Sequence, residues 1–165
     1  RRDALLSHIL LELGADHRGF CDGCCGSLSV TLSKERVSME IANDLHGDLI
    51  NLARVLASDR YEDLYAKVAR TLMCVELFNE CRERWQREPE PIVAPSIAGV
   101  EEVHVDAAWR YLVASWQGIN GVAGTKRTNY HYARRFTVGG GHGGTRWRGV
   151  ADSIPWWHDR LRHVS

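Results

Sequence analysis

The chain has 165 residues, 44% of them hydrophobic, and its 21 basic residues balance its 21 acidic ones. That length supports a single real core, and the composition is that of an ordinary globular protein. No apolar run approaches the roughly 20 residues that cross a bilayer, and Arg1-Arg2-Asp3 opens into an amphipathic pattern unlike a signal peptide. A membrane span is therefore excluded, and a cytoplasmic location is expected.

In chain order, Leu5, Leu6, Ile9, Leu10 and Leu13 recur at helical spacing, with Gly14 where a helix would stop. Gly19–Asp22 reads as a buried strand running into Gly23-Cys24-Cys25-Gly26-Ser27, and Leu28–Leu32 as a helix. Val37–Ile41 alternates like a second strand and ends at Asn43-Asp44. Helices are predicted over Asp48–Leu56, Tyr61–Thr71, Val75–Trp85 and Val103–Trp116, with Pro89, Pro91 and Pro95 marking a linker between the last two. Gly118–Arg148 reads as loops with short strands. Asp152–Leu161 reads as a helix capped by Asp152 or Ser153 with Pro155 in its first turn, and His163-Val164 as the start of another strand.

The zero net charge hides an asymmetry. Between Ala107 and Ala151 there is no Asp or Glu, whereas Arg110, Lys126, Arg127, Arg134, Arg135, Arg146 and Arg148 all lie there. Such a segment suits an anionic partner, the other reading being a solvated basic loop. Tyr130, Tyr132, Phe136 and Trp147 sit among these residues, able either to stack on displaced bases or to form a small aromatic core.

Strand, glycine turn, helix, strand, acid and helix is the order of an α/β nucleotide-binding unit. Gly23 and Gly26 supply a turn that a ligand can approach closely, and Asp44 stands where an acid would meet ribose hydroxyls. Spacing alone leaves two readings open, a tight structural turn for the glycines and a helix N-cap for Asp44. The odd number of cysteines, without an export signal, suggests buried reduced thiols. Cys21-x-x-Cys24 is half of a zinc motif, but Cys74 and Cys81 fall on a predicted helix, so no metal is expected. Gly139–Gly144 lacks the Lys-Ser/Thr ending of a phosphate loop and reads as a flexible loop.

Phe20-Cys21-Asp22-Gly23-Cys24-Cys25-Gly26-Ser27-Leu28 resembles the first motif of Dam-type adenine-specific DNA methyltransferases. Asn43-Asp44-Leu45-His46-Gly47-Asp48-Leu49-Ile50-Asn51 resembles their second motif. The resemblance weakens after Asn120 but continues to Trp147–Pro155, where it is similar to phage and bacterial members of one subgroup. It implies S-adenosylmethionine as cofactor, with Asp22, Cys24, Gly26 and Ser27 around its methionine end and Asp44 on the ribose. Asp22 stands where the family usually has Glu, Gly23 replaces Pro, and Cys24 replaces a Phe that would wall the pocket. The resemblance further implies double-stranded DNA as partner, met by Asn120, Lys126, Arg127, Arg134, Arg135, Arg146 and Arg148.

The family's catalytic Asp-Pro-Pro-Tyr motif and its aromatic-Gly-Gly-Lys motif do not occur in this sequence. The expectation is therefore a fragment, inactive alone, of an enzyme that methylates the exocyclic amino group of adenine in DNA. The alternative is an inactive or split module that binds S-adenosylmethionine and DNA and takes its catalytic half from a partner chain. The expected fold is α/β: a partial Rossmann-like methyltransferase core over residues 1–57, a helical, loop-rich target-recognition insertion over 58–149, and a return to the core over 150–165.

Overall fold

The computed structural model describes residues 2–14, 16–87, 103–118, 131–133 and 142–165. Helix α1 (Arg2–Leu13) ends at Gly14, whose φ of +61° carries the chain out of the helix as a side-chain-bearing residue would not readily do. Strand β1 (Gly19–Asp22) follows, then the short helix α2 (Ser29–Ser33) and strand β2 (Met39–Ala42). The strands pair in parallel, Gly19 opposite Met39 through Asp22 opposite Ala42. Helices α3 (Gly47–Ala57), α4 (Tyr61–Arg70), α5 (Val75–Arg87), α6 (Val105–Gln117) and α7 (Gly143–Leu161) complete the described chain. The fold is mixed α/β, mostly helical, with a short parallel two-stranded sheet.

Strand alternation sorts the sheet into two faces. Glu40 is buried on one, while Met39 and Ile41 on the other are 60% and 38% exposed. A third stretch joins the sheet beside β2. The Ser165 N–H donates to the Glu40 carbonyl (2.9 Å) and the Ala42 N–H donates to the Ser165 carbonyl (3.0 Å), the pattern of parallel pairing around Ile41. His163-Val164, expected to begin a strand, is instead a turn in which the Val164 N–H donates to the Leu161 carbonyl (2.8 Å), and Ser165 alone pairs with β2.

The core is one apolar cluster running from Cys25 and Leu28 through α3, α4 and α6 to Ile154 and Leu161 of α7. Its centre is built from Val55, Leu64, Val68, Ala108, Val113 and Ile154, which expose nothing to solvent. The spacing of Leu49, Leu52, Val55 and Leu56 puts the buried side chains of α3 on one stripe, as the sequence predicts.

The last helix departs from the sequence reading. Instead of loops to Arg148 and a helix capped at Asp152 or Ser153, a single helix runs from Gly143 to Leu161, with Pro155 well inside it. Its N-cap is His142, whose Nδ1 accepts the Gly144 N–H at 3.1 Å. Gly143 and Gly144 therefore open a helix rather than extend a flexible loop. A Cβ on Gly143 would come within 3.1 Å of the Met73 sulfur, so the missing side chain allows close packing. Burial of Trp147, Val150, Ala151 and Ile154 holds this helix together despite its glycines and its proline. Pro155 is exposed, and Ser153 bonds back to the Gly149 carbonyl at 2.7 Å.

Pro89, Pro91, Pro95, Tyr130, Phe136 and residues 139–141 lie outside the described residues. Among the described residues, no helix is long and apolar enough to cross a membrane.

Candidate functional site

The C-terminal ends of β1 and β2 release two loops side by side, and backbone bonds zip them together. The Asn43 N–H donates to the Asp22 carbonyl (2.8 Å) and the Cys25 N–H to the Asn43 carbonyl (2.9 Å). Asp44 then completes the junction. One carboxylate oxygen accepts the Gly26 N–H at 2.9 Å and the other accepts the His46 N–H at 3.0 Å. The sequence left Asp44 between ligand acid and N-cap. In the structure His46 is the N-cap of α3, and Asp44 instead bridges the glycine turn to the residue two further on.

Two residues of this turn, on either side of Ser27, have left-handed backbone, Gly26 at φ +48° and Leu28 at φ +58°. Glycine adopts this freely, but for leucine it costs about 1 kcal/mol or more. Leu28 is 4% exposed, so burial of its side chain offsets the strain. No sequence signal marked Leu28 as special. Nothing lies within 4 Å of a Cβ built on Gly23, and the turn is open on that side.

The five expected cofactor residues fall together. Cys24, Gly26 and Ser27 are exposed, and Asp22 and Asp44 are half-buried. Asp22 turns one oxygen onto the Thr31 hydroxyl of α2 at 2.9 Å, tying the strand end to the helix after the turn. The Ser27 and Ser29 hydroxyls are 2.6 Å apart. The thiols divide by environment. Cys21 and Cys24 are exposed, contrary to the expectation of buried thiols, because Cys21 is on the open face of β1 and Cys24 on the turn. Cys25 is buried, and its thiol is pushed up to about 11 by burial and by the Asp44 and Asp22 charges.

Ser27 and Leu28 also border an open cavity of about 780 Å³, lined in addition by Leu49, Leu52, Tyr111, Trp157 and Arg146. Arg146 and Arg148 are both exposed on α7. Two residues apart on a helix, they point to nearly opposite sides. Arg146 edges this cavity, whereas Arg148 borders a second groove with Tyr65, Leu72 and Asp152. The two arginines therefore do not form one anion site. Asn120, Lys126, Arg127, Arg134 and Arg135 lie outside the described residues.

Two aromatic residues from the basic stretch have structural contacts. Trp147 is 5% exposed, and its indole N–H donates to the Val68 carbonyl at 3.1 Å, so it holds α7 to α4 and does not present a base-stacking face. Tyr132 packs edge-on against Phe78 at 5.6 Å. Replacing Trp147 with phenylalanine is expected to cost about 1–2 kcal/mol, mainly the indole bond and some buried volume, since the Val68 carbonyl keeps the Thr71 N–H. Urea unfolding measures that loss, and DNA affinity in a filter-binding assay should not change.

The second motif carries more than its acid. Asp48, 3% exposed, accepts the Trp85 indole N–H at 2.7 Å. Asn51 makes a two-way clamp with the backbone of His104, donating to its carbonyl and accepting its N–H, each at 2.9 Å. These residues fasten α5 and the start of α6 to the helix behind the site, a role that the motif does not disclose.

No curated protein is a significant match to the chain. Among protein families, residues 3–137 match the model of the D12 class N6 adenine-specific DNA methyltransferases. That match covers most of the chain, and both zipped loops lie within it: the protein belongs to the D12 class N6 adenine-specific DNA methyltransferase family.

Proposed function

We propose that the chain supplies the S-adenosylmethionine-binding loops and part of the DNA-facing surface of a site-specific methyltransferase acting on the exocyclic amino group of adenine. The observation that carries this reading is the Asp44 carboxylate bonded to the Gly26 N–H at the mouths of two parallel strands. We read the short sheet as the beginning of a Rossmann-like core, in which ligands lie beyond the carboxyl ends of the strands.

The residues present fit such a cofactor. The turn is open at Gly23, the left-handed Gly26 lets a ligand approach the backbone, and the half-buried Asp44 keeps lone pairs for ribose hydroxyls beyond the two N–H groups it accepts. Asp22 has one oxygen on Thr31, and the other suits a ligand ammonium. S-adenosylmethionine supplies an activated methyl group when bound. The chain's own residues bind and orient: Asp44 fixes the nucleoside end, and Asp22, Cys24, Gly26 and Ser27 surround the amino-acid end. Arg146 and Arg148, with Asn120, Lys126, Arg127, Arg134 and Arg135, meet the DNA, where phosphate contacts make affinity steeply salt-dependent. The chain by itself binds without transferring methyl.

Calorimetry with S-adenosylmethionine tests the proposal, and no binding at millimolar cofactor would end it. Within the same experiment, Cys24→Phe is expected to bind about 3–10-fold more tightly, since a phenyl wall adds apolar contact that the exposed thiol does not give. Equal affinities would remove Cys24 from the binding surface.

A further inference from the structure

Asp44 is held from one side by the glycine turn and from the other by the backbone of His46, whose own ring sits in an aromatic cage. The imidazole stacks on Trp85 with ring centroids 6.5 Å apart at 11°, and tilts against Tyr111 at 5.2 Å. Trp85 and Tyr111 meet edge to face at 5.9 Å. The cage is anchored, because the Trp85 indole is tied to Asp48 and both aromatic residues are at most 4% exposed. Tyr111 also lines the cavity that begins at Ser27. The His46 Nδ1 is buried without a hydrogen-bond partner and is 4.0 Å from the Asp48 carboxylate, beyond hydrogen-bond reach. Ring packing, not a hydrogen bond from Nδ1, therefore fixes His46.

We propose that His46 is a positioning residue. Its caged ring sets the N–H that aims Asp44 at the glycine turn, and so links α5 and α6 to the cofactor loops. The ligand part of this inference rests on reading those loops as the S-adenosylmethionine site, whereas the positioning part does not.

The test is hydrogen–deuterium exchange at the Gly26 amide in the parent chain, His46→Ala and His46→Phe, with Leu64 as an internal reference for global opening. In His46→Ala, Gly26 should exchange about tenfold faster or more while Leu64 keeps its rate. His46→Phe, which keeps a ring in the cage, should restore Gly26 to within about twofold of the parent. Affinity for S-adenosylhomocysteine should follow the same order.

Parental exchange at Gly26 in His46→Ala would overturn the proposal. So would a His46→Phe variant as fast as His46→Ala, since imidazole chemistry rather than packing would then be at work. If Leu64 also accelerates in His46→Ala, the milder His46→Leu, which keeps bulk but no ring in the cage, decides the matter by the same selective acceleration at Gly26. Failure of the parent chain to bind S-adenosylhomocysteine would reject the cofactor reading, and the exchange rates would still decide the role of His46.

Discussion

Replacing Arg160 with methionine is expected to destabilise the fold by about 3–5 kcal/mol, because a buried carboxylate loses two charge-assisted hydrogen bonds and keeps only Lys34. Glu40 faces inward from β2 with its side chain 2% exposed, and two cations meet it there. The Arg160 guanidinium makes a two-pronged contact at 2.6 and 2.9 Å, and Lys34 from the end of α2 reaches the same carboxylate at 2.7 Å. One group thus ties β2, α2 and the far end of α7 together. The Arg160 Nε is buried without a partner, so the cluster is incompletely satisfied and its net worth is modest. Removing the guanidinium costs more than the cluster contributes, since the buried Glu40 and Lys34 are left short of hydrogen bonds with no water to replace them. Lys34→Met should cost much less, as Glu40 keeps its guanidinium. Urea unfolding at neutral pH measures both. A loss below about 1 kcal/mol for Arg160→Met would mean that water reaches Glu40.

Acid should reproduce this loss. Burial pushes the Glu40 carboxyl up, but the hydrogen bonds and charges of Arg160 and Lys34 outweigh it and hold the group below its ordinary value of 4.5. A carboxylate depressed in the folded state contributes stability that is fully present above its unfolded pKa and is lost as pH falls through its folded one. The parent should therefore lose stability below about pH 4.5, and Glu40→Gln should show a flatter curve there.

Where local chemistry governs, the sequence was legible. Gly19–Asp22 is a strand at the predicted bounds, although exposed or half-buried rather than buried, and the spacing of Leu49, Leu52, Val55 and Leu56 identified the buried face of α3. The glycine turn and Asp44 were found by their motifs, and their meeting follows from the parallel pairing of the strands that precede them. Long-range packing was not legible. Gly143, Gly144 and Pro155 are helix breakers by local preference, and only burial of Trp147, Val150 and Ile154 makes the segment one helix. Trp147 lies among arginines in the sequence, yet the partner that draws it inward is the Val68 carbonyl, 79 residues away. Glu40 reads as the polar position of a half-exposed strand, and its burial becomes intelligible only with Arg160, 120 residues later.

Two acids four residues apart in one motif should fail in different ways when mutated. Asp44→Ala leaves the Gly26 and His46 N–H groups without their acceptor and removes the charge proposed to hold the ribose. S-adenosylmethionine affinity is expected to fall about 100-fold, from the loss of charge-assisted hydrogen bonds worth about 1.5–3 kcal/mol each. Asp44→Asn keeps one oxygen for two donors and should fall roughly tenfold. Stability should change by only about 1–2 kcal/mol in either variant, because the loops remain zipped by the backbone bonds at Asn43 and Cys25. Asp48 is the opposite case. It is buried and accepts the Trp85 indole N–H, so Asp48→Ala should lower stability by about 2–4 kcal/mol while the surviving folded protein binds with at most a several-fold loss. Calorimetric titration beside urea unfolding separates the two effects. If Asp44→Ala bound within twofold of the parent, the junction of the two loops would be a structural turn and the cofactor would have to be held elsewhere.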